Sequence, residues 1–197
     1  MRREDFVKKN MTKNELEAFY SKLEKDSPGK YELRAGLNKE MIGTLSNKTK
    51  LVIVGTAIPS GLSFFYMGQN NNIYKWIDDA IGTRLGELKK RGDVGAIKSN
   101  LEALGIVFLD VADLCCNEIG NSEDNLIKGY VADSDSFLFL KRIKETNPNL
   151  RIIGVSRAAW FALKDLFDIG SEYIQLFYGK KERWLNLFEE TLLNVVS

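Results

Sequence analysis

The part of this chain best suited to chemistry is a polar and aromatic stretch that follows an apolar strand. The strand reads LVIVG from Leu51, and a Gly/Pro/Ser turn then leads to three consecutive asparagines at residues 70–72. Open α/β sheets place their ligand sites at the carboxyl ends of such strands. The flanking aromatic side chains are Phe64, Phe65, Tyr66 and Tyr74. We expect a slot for a flat ligand with hydrogen-bonding edges, such as a nucleobase; an ordinary polar surface loop is the alternative.

Several reaction classes are excluded by residue types that are scarce or missing. The chain has no histidine, which excludes Ser-His-Asp and Cys-His hydrolases and zinc sites of the usual histidine type. Its two cysteines, Cys115 and Cys116, are too few for a typical iron–sulfur cluster. The turn GTAIPSG is neither a Walker loop nor a dinucleotide fingerprint. Acid–base work would fall to carboxylates, amides, tyrosine, lysine or bound water, and we expect no metal or organic cofactor.

Composition indicates one ordinary globular domain. The chain has 197 residues, 44% hydrophobic and 28% charged, with a net charge of +1. With so small a charge, contact with DNA has to come from local basic patches. The N-terminus is charged rather than apolar, and no apolar run is long enough to cross a bilayer. We expect a cytoplasmic protein with no membrane partner.

Hydrophobic periodicity predicts the elements that would hold the polar stretch in place. Apolar runs predict strands at 50–54, 106–110 and 150–155, and a shorter apolar segment at 173–178 is a candidate fourth strand. Amphipathic patterns predict helices at 12–23, 72–88, 92–104, 134–147, 156–167 and 180–196. Residues 31–46 favour helix or loop. Strands that alternate with helices indicate a parallel α/β sheet, and residues 1–47 read as an N-terminal helical extension of a single domain over 1–197.

Several sequence blocks, taken in order, resemble the uracil-DNA glycosylase superfamily, and most closely its hypoxanthine (deoxyinosine) branch. The blocks are LVIVGTAIPSGLS, FFYMGQNNNIYKWI, GIVFLDVADLCCNEIGNSEDNLI, DSDSF and LRIIGVSRAAWFAL, which span roughly residues 48–168, with a weaker match at KKERW. Their order and spacing are more specific than any single block. The resemblance implies a three-layer α/β/α sandwich with a mainly parallel four-stranded sheet. It also implies a monofunctional DNA glycosylase that hydrolyses the N-glycosidic bond of a flipped base.

The resemblance also implies roles for particular residues. Most branches carry an acidic residue or asparagine in the Gly-x-x-Pro turn, but here that turn holds Thr56, Ala57 and Ile58, so the catalytic role passes to Asn71 in the next block. The base-binding residues it implies are Gly55, Thr56, Ala57, Ile58, Phe65, Tyr66, Asn72, Asp110 and Ser156. The base would be uracil or hypoxanthine. A bulky modified pyrimidine of phage DNA, excised in antiviral defence, is the alternative.

DNA is the expected partner, and we expect the protein to act as a monomer. The residues before and at the start of the last helix would replace the family's second motif, supplying a wedge and a phosphate clamp. These are Leu176, Phe177, Tyr178, Lys180, Lys181 and Arg183. The run Lys89-Lys90-Arg91 is the next candidate for the clamp.

Each assignment has a structural alternative. Asn70 or Asn72 could take the place given to Asn71, or Asn71 could only cap the following helix. The aromatic residues could belong to the core, and Asp110 could be a helix cap or ion-pair partner. For the whole chain, the rival functions are a non-catalytic nucleic-acid or nucleotide-binding protein of the same fold and, less favoured, a flavodoxin-like nucleotide binder.

Overall fold

A small open parallel β-sheet with several helices forms the described part of this α/β protein. The structure is a computed structural model. It describes residues 18, 21, 25, 31–33, 40–55, 62–69, 71–110, 114–116, 135–155, 159, 163, 172–173 and 181–196. The predicted α/β class is confirmed.

Three parallel strands make up the body of this sheet. They are β2 (Leu51–Gly55), β3 (Ile106–Asp110) and β5 (Arg151–Gly154), with β2 in the centre. Beside β5 lies β6 (Glu172–Tyr173), a parallel pairing of only two residues. The three main strands match the predicted ones to within about one residue at each end. The expected fourth strand at 173–178 stays a prediction, because residues 174–178 lie outside the described part.

The order of the strands creates a switch point at the carboxyl edge of the sheet. The chain leaves β2 towards β3 and then crosses back to β5 on the other side of β2. Such reversals open a crevice at the carboxyl ends of the strands, where α/β proteins bind ligands. Right-handed connections would also place the two sets of intervening helices on opposite faces. The three-layer arrangement remains a prediction that this topology favours.

The described residues of the connection from β2 to β3 form three helices. They are α1 (Ile73–Ile81), α2 (Leu85–Arg91) and α3 (Val94–Leu104). The single helix predicted at 72–88 is therefore wrong, because the chain breaks at Gly82, which adopts a left-handed conformation with φ +71°.

A side chain of the first helix starts the second one. The Asp78 carboxylate accepts hydrogen bonds from the backbone N–H groups of Leu85 (2.7 Å) and Gly86 (2.8 Å) and from the Thr83 hydroxyl (2.5 Å). Those N–H groups would otherwise have no partner in the first turn of α2. The capping therefore joins the end of α1 to the start of α2.

Hydrogen bonds from residues outside the strands stabilise the amino edge of the sheet, where the strands begin. The Gly105 carbonyl accepts from the backbone N–H groups of Lys50 (2.8 Å) and Leu51 (3.1 Å). The Lys144 ammonium donates to the carbonyl of Leu150 (2.6 Å), and the Asn147 amide donates to that of Thr49 (3.2 Å). Burial, and the positive charge of Arg151, lower the pKa of Lys144. All three main strands are therefore tied together at the edge opposite the switch point.

The remaining elements frame the sheet. Helix α4 (Asp135–Thr146) precedes β5, and helix α5 (Lys181–Val196) packs against α1; both match predicted helices. Strands β1 (Tyr31–Leu33) and β4 (Leu114–Cys116) form a separate antiparallel pair. Helix or loop was expected at residues 31–33, so that prediction is wrong, and the segment before residue 48 contains a strand as well as helical residues. None of the described helices has the length and apolar character needed to cross a bilayer.

We expect Gly105→Ala to lower the free energy of unfolding by about 2 kcal/mol or more. Gly105 ends α3 with φ +72°, and a Cβ placed there would lie 2.6 Å from the Lys48 carbonyl oxygen. The left-handed backbone alone costs a non-glycine residue about 1–2 kcal/mol. Gly82→Ala is the matched control, because it has the same φ but nothing within 4 Å. Urea denaturation would compare the two; equal losses would show that the Lys48 contact costs nothing.

Candidate functional site

The candidate site lies where β2 and β3 end side by side. Gly55 is the register partner of Asp110, so both positions face the same side of the sheet. Asp110 is 3% exposed. A Cβ built on Gly55 would collide with the Asp110 carboxylate and would lie 2.6 Å from the Tyr66 hydroxyl oxygen. The missing side chain at Gly55 therefore gives Asp110 and Tyr66 the space in which they meet.

Tyr66 is held in an unfavourable conformation at this meeting point. Its φ is +57°, the only positive value for a non-glycine residue in the described part of the chain. Its hydroxyl is buried, with no hydrogen-bond partner among the described residues. Burial first, and then the negative charge of Asp110 and the nearby Tyr74, raise the pKa of Tyr66 well above its usual value. A strained backbone and an unsatisfied buried hydroxyl on one residue point to a functional role.

An aromatic cluster centred on Phe108 sets the position of Tyr66. The Tyr66 and Phe108 rings meet edge to face with centroids 5.0 Å apart. The rings of Phe64 and Phe65 lie 6.5 Å and 6.3 Å from Phe108. Because Phe108 and Asp110 are two residues apart on one strand, they share a face of the sheet. The cluster therefore places the Tyr66 ring over the face from which Asp110 projects.

A buried hydrogen bond ties the start of the aromatic loop to the first helix. The Tyr74 hydroxyl donates to the Phe65 carbonyl at 2.5 Å, and burial raises the pKa of Tyr74. Phe64 and Phe65 are almost fully buried. Packing thus accounts for both, and Tyr66 is the one of these three loop aromatics that keeps partial exposure.

Asn71 lies further along the same loop and starts helix α1. Its side-chain oxygen accepts a hydrogen bond from the Ile73 N–H at 3.0 Å, an Asx turn that satisfies one of the first N–H groups of the helix. Asn72 occupies the N-cap position, makes no side-chain capping bond and is exposed. The capping role weighed for Asn71 is therefore real, and its catalytic role stays a prediction.

Several of the expected site residues lie outside the described part of the chain. They are Thr56, Ala57, Ile58, Ser156, Leu176, Phe177, Tyr178 and Lys180, together with the alternative Asn70. Lys181 and Arg183 lie in the first turn of α5, and Arg183 is exposed. Of the expected base-binding residues, the structure brings Gly55, Tyr66 and Asp110 together, with Phe65 packed behind them.

Two features of the site were missed in the sequence. Phe108 carries the aromatic cluster, and its signal was available: it lies two residues before Asp110, so the two side chains share a face. Lys89 bonds back to the loop from α2 across 18 and 21 residues, and no local pattern indicates a contact of that range.

The site offers hydrogen-bonding chemistry to a ligand. A carboxylate accepts hydrogen bonds from N–H groups, and a phenol hydroxyl can donate to a carbonyl. In the described residues, no group of three or more metal-binding side chains comes together. Beside Gly55, the Asp110 carboxylate and the Tyr66 hydroxyl are thus suited to a ligand edge on which a donor and an acceptor lie side by side.

Comparisons with models of known protein families, with curated proteins and with solved structures found no match for this chain.

Removing the hydroxyl from Tyr66 and from Tyr74 should change stability in opposite directions. We expect Tyr66→Phe to raise the free energy of unfolding by about 1 kcal/mol, because it removes a buried hydroxyl without a partner. Tyr74→Phe should lower it by about 1–3 kcal/mol, because the Phe65 carbonyl loses its donor. Urea denaturation at neutral pH measures both. A loss of stability in Tyr66→Phe would mean that its hydroxyl is satisfied in the folded protein.

The advantage of Tyr66→Phe should grow in alkaline solution. Folding raises the pKa of Tyr66, so below the unfolded pKa of about 10 the hydroxyl is neutral in both states and its ionisation does not affect stability. Above that pH the unfolded chain ionises first, and the wild type loses stability that the variant keeps. Denaturation curves across this range would show it.

Proposed function

We propose that this chain is a monofunctional DNA glycosylase with a uracil-DNA-glycosylase-like fold, which hydrolyses the N-glycosidic bond of a flipped base and leaves an abasic site. The observation that carries the proposal is the convergence of the Tyr66 hydroxyl and the Asp110 carboxylate beside Gly55, at the carboxyl edge of a parallel sheet. An enzyme that acts on a base must take it out of the stack and read its edge in an enclosed site.

The hydrogen-bonding groups of the pair suit particular bases. Asp110 would accept a hydrogen bond from a ring N–H, while Tyr66 would donate to the neighbouring carbonyl. Uracil and hypoxanthine both present such an N–H beside a C=O. A cytosine-type pyrimidine carries no proton on that ring nitrogen, so it would place a lone pair against the Asp110 carboxylate and leave that bond unmade. The pair therefore suits uracil or hypoxanthine better than a modified cytosine, whereas a modified uracil of phage DNA would present the same edge and keeps antiviral defence as the alternative role.

Asn71 is the proposed catalytic residue. Hydrolysis of this kind passes through a sugar with oxocarbenium character, so the attacking water needs orientation more than a strong base. The Asn71 oxygen keeps a second lone pair beyond its bond to Ile73, and its amide supplies two further donors. Because the Asx turn fixes the side chain, these groups would meet the water in a preset orientation.

One observation favours the rival, a non-catalytic protein of the same fold that binds a base or nucleotide. The side-chain oxygen of Asn71 already serves helix α1, and capping alone explains why an asparagine stands there. In that case Asp110 and Tyr66 would bind the base and no bond would be broken.

DNA fragments that differ in one base separate these two functions. Each fragment carries uracil, hypoxanthine, hydroxymethylcytosine or glucosylated hydroxymethylcytosine at one position. After incubation with the protein, alkali cleaves the strand wherever a base has been lost. We expect cleavage at uracil or hypoxanthine and a loss of release in Asp110→Asn. Tight binding to a modified strand without cleavage would support the binding protein instead.

Asn71→Ser tests the catalytic residue separately from the cap. Serine keeps a side-chain oxygen that can accept from the Ile73 N–H, although more weakly, and removes the amide. We expect stability close to that of the wild type and single-turnover base release lowered by roughly 10²–10³. Near-normal release by the folded variant would leave Asn71 with a capping role alone.

The start of α5 is the proposed phosphate clamp. Helix α5 packs against α1, which begins two residues after Asn71. Replacing both Lys180 and Lys181 by alanine should weaken DNA binding at all sequences and lower the salt slope by about one to two units. Lys75→Ala is the control, since Lys75 pairs with Asp79 on the surface. An unchanged salt slope would indicate that Lys90 and Arg91, which are exposed, contact the phosphates instead.

A further inference from the structure

Lys89 differs from its basic neighbours because its side chain bonds to the site loop. Its ammonium donates to the backbone carbonyl of Gly68 at 2.7 Å and to that of Asn71. The same Gly68 carbonyl accepts the Asn71 N–H at 3.0 Å. Lys89 therefore closes a turn at the end of the loop that carries Tyr66.

The environment of Lys89 is costly for a lysine. No carboxylate of the described residues forms a salt bridge with it, and partial burial lowers its pKa. By contrast, Lys75 and Lys98 pair with Asp79 and Glu40. A charge partly removed from water and bonded only to carbonyls carries a desolvation cost that its hydrogen bonds have to offset.

The hydrogen bonds from Lys89 hold the loop on the second side of Tyr66. On one side of Tyr66, the Phe65 carbonyl is held from α1 by Tyr74. On the other side, the Gly68 carbonyl is held from α2 by Lys89. A residue with an unfavourable φ keeps it only when its surroundings hold it there, and Tyr66 stands between these two anchors.

We propose that Lys89 is a positioning residue of the site: it holds Tyr66 beside Asp110, and it holds Asn71 at the start of α1, without touching the ligand itself. Its effect on base release rests on the proposed function, whereas its effect on Tyr66 does not. The basic run of α2 is then divided, with Lys89 fixing the loop and Lys90 and Arg91 facing solvent.

Three substitutions test the role of Lys89. Lys89→Met keeps the apolar stem and removes the donors, Lys89→Arg keeps donors and charge, and Lys90→Met makes the same charge change at the exposed neighbour. The first readout is the ionisation of Tyr66, followed by phenolate absorbance and assigned by subtracting the same variant with Tyr66→Phe. Burial raises the pKa of this hydroxyl most, followed by Asp110 and Tyr74, and all three variants keep both of these residues.

We expect the pKa of Tyr66 to fall towards its usual value in Lys89→Met, to recover at least in part in Lys89→Arg and to stay raised in Lys90→Met. Amide hydrogen exchange at Asn71 and Ile73 should become about tenfold faster or more in Lys89→Met only. A folded Lys89→Met protein with unchanged Tyr66 ionisation and unchanged exchange would overturn the proposal. If Lys89→Met does not fold, Lys89→Gln, which keeps an uncharged amide donor group on a shorter side chain, gives the same readouts with smaller shifts.

Base release separates the positioning role from the proposed function. In Lys89→Met we expect kcat to fall by about tenfold or more while KM changes little. If the wild type releases no base but Lys89→Met still shifts Tyr66, the glycosylase function fails and the positioning role stands. If the wild type is active and Lys89→Met matches it in kcat and in Tyr66 ionisation, the positioning role fails instead.

Discussion

The packing of four aromatic rings around Phe108 is the contact on which the site depends. Their centroids lie 5.0–6.5 Å from that of Phe108, and edge-to-face pairs such as that of Tyr66 with Phe108 contribute about 0.5–1.5 kcal/mol each beyond burial. Phe108 stands in β3, whereas its partners come from the loop after β2 and from α1. One side chain therefore fixes the height of the loop above the sheet, and with it the distance between Tyr66 and Asp110.

The one strained residue of the site, Tyr66, is surrounded by residues that are rigidly held. The left-handed φ of Tyr66 and its buried hydroxyl are unfavourable features that packing alone would not select. Around them, Phe65 and Tyr74 are buried and hydrogen-bonded, and the strand ends are held in register. A rigid frame around one unfavourable residue is the arrangement that preorganises a polar group for a ligand.

The sequence predicts those elements of the fold whose ends are marked by local residue patterns. Apolar runs bounded by turn residues located the three main strands, and Gly105 marked the end of α3. The break between α1 and α2 could not be read, because Leu85 continues the helical period and the carboxylate that starts α2 belongs to Asp78, seven residues earlier.

The site was readable only in part. Tyr66 and Asp110 were expected there, but their meeting depends on the register that places Asp110 beside Gly55, and register is a property of the folded sheet. The hydrogen bonds of Lys89 reach back 18 and 21 residues, so they follow from how α2 packs rather than from its sequence. The assignment of Asn71 to catalysis stays a prediction, because its observed bond serves the helix.

The hydrogen bonds at the amino edge of the sheet affect how this protein could change during evolution. Lys144, Asn147 and Gly105 hold the strands together at the end furthest from Asp110. Substitutions or insertions in the loops at the carboxyl edge would not disturb these hydrogen bonds. The molecule could therefore acquire a different ligand preference by exchanging those loops, while descendants with altered specificity inherit the same stable scaffold.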